Sequence, residues 1–141
     1  MTKKLSTYVL PGIALSVFAM LSATAVAQLA NVPSKLSGRW TSLDGAYGQT
    51  ISAKIDLAMA KGTLTVYSND SACTIREAPI SVISTGEKLT LKVDPSYSNP
   101  CRADVSVELT KKAGTDDYEG ELRQGGPAGG QFPILRVKMS P

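Results

Sequence analysis

Hydrophobic residues recur at every second position through most of this chain. Ile51, Ala53, Ile55 and Leu57 fall on one side of an extended segment; Leu64 and Val66 do the same, as do Leu89, Leu91 and Val93. The longest series is Ala103, Val105, Val107 and Leu109, with Asp104, Ser106, Glu108 and Thr110 between them. Leu135, Val137 and Met139 close the chain, interleaved with Arg136 and Lys138. A period of two with one apolar and one polar face is the pattern of antiparallel strands laid around a core. Turn-forming residues break these runs at short intervals: Asp44-Gly45, Lys61-Gly62, Asn69-Asp70, Thr85-Gly86-Glu87, Asp94-Pro95, Ala113-Gly114 and Gly125 to Gly130. The pattern predicts eight or nine strands, near 37–43, 49–58, 62–68, 72–77, 79–84, 88–94, 102–111, 117–124 and 132–139. A helix fits only as a single turn around Leu57 to Lys61.

Short strands linked by consecutive hairpins favour closure, because closing a sheet removes its edges. The fold expected is therefore all-β, a small antiparallel up-and-down barrel. An interior bounded by about eight strands is either filled by side chains or just wide enough for one small ligand. The apolar residues are chiefly Val, Ile, Leu and Ala, a set that can fill such a space, and the alternation leaves both options open.

The N-terminus reads differently. Lys3 and Lys4 precede a mostly apolar run from Val9 to Met20, interrupted at Pro11-Gly12, and Ala25-Val26-Ala27 stands before Gln28. A basic start, an apolar middle and small residues at a cleavage site are the layout of a secretory signal peptide. The expected organisation is a signal peptide over 1–27, an irregular lead-in over 28–36 that contains Pro33, and one barrel domain over 37–141. The expected location is the periplasm or the cell exterior. No later segment is long and apolar enough to span a bilayer as a helix. Removing Lys3 and Lys4 with the leader lowers the formal charge from +3 to +1. That leaves no basic stripe to neutralise a phosphate backbone, so no nucleic-acid partner is expected.

Two cysteines remain, Cys73 and Cys101. An even count in an exported chain favours one disulfide. On the chain-entropy model it would add roughly 3–4 kcal/mol. The chain contains no histidine, which excludes Ser-His-Asp and Cys-His catalysis and imidazole metal sites. Carboxylates are what is left. Glu119 and Glu121 in "GTDDYEGEL" would share one strand face about 7 Å apart, a distance a paired-carboxylate glycosidase can use. The same spacing describes a solvated outer face opposite Tyr118, Gly120 and Leu122, and that reading is preferred. Calcium binding by Asp116 and Asp117 lacks the spacing of a known loop. No enzyme activity, metal or cofactor is expected.

Two loops are candidate binding surfaces. "QGGPAGGQ", with Gly125, Gly126, Gly129 and Gly130, is followed by no helix and no Gly-Lys-Ser/Thr, so it is a loop between the last two strands rather than a phosphate cradle. "DPSYSNPC" holds Tyr97 and Asn99 between prolines and next to Cys101. The sequon at Asn69 has meaning only in a eukaryotic host.

Trp40 is the sole tryptophan. Alternation puts Gly38, Trp40 and Ser42 on one face of the first strand, so Gly38 would leave room for the indole to fill the barrel end. In Leu36-Ser37-Gly38-Arg39-Trp40 the chain resembles the opening of lipocalin-like (calycin) barrels. Further landmarks of small exported barrels of bacteria follow at Gly62-Leu64, Tyr118 to Leu122 and Leu135 to Lys138. The resemblance implies that Arg136 or Lys138, in the last strand, packs over Trp40. In size and in its Gly-x-Trp start the chain is also similar to the bacterial inhibitors of secreted metalloproteases, which hold one disulfide and enter the protease cleft with an N-terminal trunk. By that resemblance residues 28–34 would be the trunk, although those inhibitors usually carry a second tryptophan mid-chain and place the disulfide differently. The function expected first is a non-enzymatic binding module for a small apolar molecule or for a protein partner at the barrel rim. Inhibition of a secreted metalloprotease is the alternative.

Overall fold

The computed structural model describes residues 32–98, 104–125 and 134–141. They form eight strands: β1 (Lys35–Thr41), β2 (Gly48–Asp56), β3 (Lys61–Val66), β4 (Ile75–Thr85), β5 (Lys88–Val93), β6 (Asp104–Lys111), β7 (Tyr118–Gly125) and β8 (Leu135–Ser140). Each strand pairs antiparallel with the next in sequence, and β8 returns to β1, closing the barrel. Closure comes through five pairs, from Ser37 opposite Ser140 to Thr41 opposite Arg136. Among the described residues no helix is long and apolar enough to cross a membrane.

The alternation decides what fills the interior. Ile51, Ala53 and Ile55 of β2, Leu89, Leu91 and Val93 of β5, and Val105, Val107 and Leu109 of β6 are all buried. So are Val137 and Met139 of β8, while Arg136 and Lys138 face outward. No polar or charged residue among those described is buried. Every strand supplies an inward side chain of at most 1 % exposure: Leu36, Ile51, Leu64, Ala78, Leu91, Val107, Leu122 and Val137. A void able to admit a water-sized sphere would leave its lining with accessible area, so no such void touches these side chains, and the interior is filled.

The strand count is eight because the segments 72–77 and 79–84 do not make two strands. Residues 71–73 form a single 3₁₀ turn, and β4 then runs unbroken through Pro79. The register between β3 and β4 jumps from Leu64 opposite Ala78 to Val66 opposite Ile75, so Thr65 faces both Arg76 and Glu77. That is a β-bulge. Glu77 takes φ +44° there, and its N–H donates to Thr65 Oγ1 at 3.0 Å. The extra residue puts Ile75 and Ala78 on the same inner face three positions apart, and this breaks the period of two. Pro79 is tolerated because β4–β5 pairing begins only at Ile80, while its carbonyl still accepts from the Asp94 N–H at 2.8 Å.

Two further boundaries differ from the sequence reading. The lead-in is shorter, since Lys35 and Leu36 already belong to β1 and Leu36 is fully buried. The turn placed at Lys61-Gly62 lies instead at 57–60, where Ala60 adopts φ +52°. Gly62 sits inside β3 for another reason: a Cβ there would come within 2.1 Å of the Lys54 carbonyl oxygen. Gly38 and Gly120 are under the same constraint, each with a hypothetical Cβ 1.8 Å from a neighbouring carbonyl oxygen, Lys138 and Glu108 respectively. These are the places where strongly coiled strands approach closely enough to close a small barrel.

Candidate functional site

The two ends of the barrel are built differently. One carries the connections 57–60, 86–87 and 112–117, of four, two and six residues; the other carries 42–47 and 67–74, of six and eight, and the start of the β5–β6 connection at 94–98. Long loops held by a rigid scaffold are where binding surfaces concentrate, and here the described loops are braced by their own polar side chains. Asp44 Oδ1 accepts from the Ala46 N–H at 3.0 Å and from the Ser42 hydroxyl, and the Tyr47 N–H donates to Ser42 Oγ at 3.0 Å. Asp70 Oδ1 accepts from the Ala72 N–H at 3.0 Å and caps the 3₁₀ turn. Asp94 Oδ1 accepts from the Ser96 N–H at 2.8 Å. The Ser42 hydroxyl, followed by the Ala46 N–H, holds the Asp44 carboxyl below its ordinary range. The Ser96 backbone N–H, followed by its hydroxyl, does the same for Asp94. In each case the hydrogen bonds favour the charged form.

Trp40 lies at this end of the interior, 7 % exposed, and its indole N–H donates to the Tyr67 carbonyl at 2.7 Å. It fills the barrel end, with three particulars that differ from expectation. Arg136 does not pack over the ring: Val137 is the β8 residue opposite Trp40, and the same alternation turns Arg136 to the outer face, opposite Thr41. Gly38 makes room for the Lys138 backbone rather than for the indole. Ser42 leaves the strand and braces the 42–47 loop. The guanidinium placed over a ring is Arg76, 5.7 Å from the centroid of Tyr67.

Tyr97 is partly buried against the core, and its hydroxyl accepts the Arg76 N–H at 3.2 Å, tying the β5–β6 connection to the start of β4. It covers the barrel end more than it projects from it. Asn99, Gly126, Gly129 and Gly130 lie outside the described residues. Gly125 is the last residue of β7 and pairs with Asp104. Cys73 closes the 3₁₀ turn and is not a free cysteine, whereas Cys101 lies outside the described residues. The pairing of the two therefore stays an expectation.

The carboxylates of "GTDDYEGEL" belong to a solvated outer face. Glu119 lies 3.8 Å from Lys112 Nζ and 3.7 Å from Lys138 Nζ. Glu108 and Glu121, directly opposite on β6 and β7, share Arg123 at 3.7 and 3.1 Å. Such exposed pairs contribute about 0–1 kcal/mol each. They neutralise one another beside an open groove of about 430 Å³. Of the proposed trunk, Val32 packs against the core and the Ser34 carbonyl accepts from the Ile55 N–H at 2.8 Å, both at the end away from the long loops. Residues 28–31 lie outside the described residues.

Apolar side chains left in solvent are the feature the alternation did not bring out. Of the six large apolar residues exposed among those described, Leu43, Tyr47, Tyr67 and Ile134 (58, 62, 41 and 37 % exposed) stand at the long-loop end, whereas Met59 and Ile83 lie towards the other. A sequence signal exists for two of them: Tyr47 and Tyr67 are rings within a few residues of Asp44-Gly45 and Asn69-Asp70, where turn residues predominate. The cations are sorted as well. The described arginines, Arg39, Arg76, Arg123 and Arg136, lie in strand halves leading to the long-loop end. All described lysines except Lys92 lie towards the other. Set against known protein families, curated proteins and solved structures, the chain matches none of them.

Proposed function

We propose that this protein is an exported, non-enzymatic binding module that engages another protein at the long-loop end of a lipocalin-like barrel. The carrying observation is the gathering of Leu43, Tyr47, Tyr67 and Ile134 in solvent at that end, together with the arginines. Tyr, Trp and Arg are enriched in protein interfaces, and Lys is depleted. The opposite end is lysine-rich and carries two exposed apolar residues, Met59 and Ile83, but no exposed aromatic ring among the described residues. Loops pre-braced by Asp44, Asp70 and Asp94 reduce the ordering cost of docking. The filled interior favours the rim over a small apolar molecule held inside.

The reading is tested by native mass spectrometry and crosslinking of the protein purified from its own host compartment. The expected result is a protein crosslinked through residues 42–47 or 67–74, with no retained small molecule. The protease-inhibitor alternative uses the other end, so deleting residues 28–34 separates the two. Binding that survives this deletion and is lost on changing Tyr47 and Tyr67 to serine supports the rim. The reverse outcome supports the trunk.

A further inference from the structure

We infer that the partner brings carboxylates to the rim: the surface around Leu43, Tyr47, Tyr67 and Ile134 is built for an acidic protein segment with apolar side chains at its centre. The inference rests on the rim reading above and deepens it. Thr41 and Arg136 form the last pair between β1 and β8, and Leu43 and Ile134 stand two residues beyond it on either side. Arg39 does not extend towards Lys138, its cross-strand partner. Its Nη2 lies 3.7 Å from where a Cβ of Gly48 would be, so the guanidinium is folded along the outer face towards the 42–47 loop. Arg76 stands over the Tyr67 ring at the other side of the patch. A protein that covers Tyr67 meets Arg76, one that covers the 42–47 loop meets Arg39, and Arg136 lies two residues from Ile134.

None of the three has an acid to answer it. Arg39, Arg76 and Arg136 take part in no ion pair among the described residues. Arg136 stands opposite Glu121, but that carboxylate is engaged by Arg123 at 3.1 Å. Glu77, beside Arg76, lies 3.8 Å from Lys54 Nζ. The nearby loop acids, Asp44 and Asp70, direct an oxygen to N–H groups of their own loops. An unpaired guanidinium removed from water is strongly unfavourable, whereas a planar fork meeting a carboxylate recovers that cost with geometric specificity. The apolar residues draw a partner in, and the arginines select which partner can stay. Lysine would be a looser selector, and the described lysines other than Lys92 are kept away from this end.

The experiment is selection of a displayed random-sequence peptide library against the mature protein. Synthetic versions of the selected peptides are then titrated at about 50 and 500 mM salt. The expected result is enrichment of Asp and Glu around Leu, Tyr or Phe, with binding weakened about tenfold or more by Arg39→Glu or Arg136→Glu and weakened by salt. Arg39→Gln and Arg136→Gln serve if a reversal disturbs the fold, which far-UV circular dichroism reports. Peptides that lose binding with Tyr47→Ser and Tyr67→Ser but carry no acidic bias overturn this inference and leave the rim reading standing. Peptides indifferent to all these changes overturn both. Rim-dependent self-association in sedimentation, without acidic peptides, makes a second copy the occupant and also overturns the inference.

Discussion

The indole N–H of Trp40 lies 2.7 Å from the carbonyl oxygen of Tyr67, joining β1 to the start of the β3–β4 connection across the mouth of the barrel. One side chain thus closes the core and fixes a loop of the candidate site. Trp40→Phe keeps most of the apolar bulk and removes the donor. The expected loss is about 1–3 kcal/mol, because the Tyr67 carbonyl is left without this partner and the smaller ring leaves space. Urea denaturation followed by circular dichroism measures it. Amide hydrogen exchange over residues 67–74 should rise in the same variant.

The glycines at strand crossings give a sharper contrast. Gly120→Ala would set a methyl group 1.8 Å from the Glu108 carbonyl oxygen, a backbone atom that cannot swing aside. The expected cost is about 3 kcal/mol or more, enough to abolish soluble expression. Gly125→Ala, on the same strand, meets only the Asp104 side chain at 3.3 Å and should stay within about 1 kcal/mol of wild type. Soluble yield of Gly120→Ala and a thermal melt of Gly125→Ala beside the wild type decide the matter.

A filled barrel should ignore apolar probes until a hole is made in it. Leu91→Ala removes a fully buried side chain from mid-strand and should destabilise the fold by about 2–5 kcal/mol. If the variant folds, xenon or benzene should broaden or shift its core methyl resonances and leave the wild-type spectrum unchanged. Comparable binding by the wild type would mean the interior is hollow.

Two titrations follow from local bonding. Asp44 ionises more readily in the fold than in the unfolded chain. Its contribution to stability is therefore present above the unfolded pKa and lost as pH falls through the lower folded value. Ser42→Ala should move the Asp44 carboxyl midpoint upward, read by carbon-detected NMR. Burial pushes the Tyr118 phenol up from its ordinary value of 10.0, with Lys111 opposing. Its contribution is intact below the unfolded pKa and is lost as pH rises through the higher folded value. Tyr118→Phe should remove a tyrosinate that titrates above the ordinary value from an ultraviolet alkaline titration.

Cys73 closes the 3₁₀ turn of one long-loop connection, and Cys101 lies, by sequence, in another. If the two are joined, the mature protein gains two hydrogens in mass on reduction, and Cys73→Ser lowers stability by roughly 3–4 kcal/mol. An unchanged mass on reduction would end that expectation.

How far the sequence reached is clearest at particular residues. Leu89, Leu91, Val93, Val105, Val107 and Leu109 follow the period of two without interruption, and all are buried as that period requires. Strand direction and neighbour order also followed from it, since short turns leave antiparallel pairing as the available connection. At Arg76-Glu77 the same rule failed, because a bulge admits an extra residue that only the partner strand's register reveals. Gly62 looked like a turn and proved to be a point of close backbone approach. Arg136 looked like a lid for Trp40 until closure set Val137 beside the indole.

What the chain alone determined is a strand pattern with one apolar face, because that face depends only on the alternation of each residue with its nearest neighbours. Whether the interior is full, which β8 residue lies beside Trp40, and that Leu43, Tyr47, Tyr67 and Ile134 share one rim were decided by closure of β1 on β8. Those properties belong to residues far apart in sequence, and the register of the closed sheet brings them together.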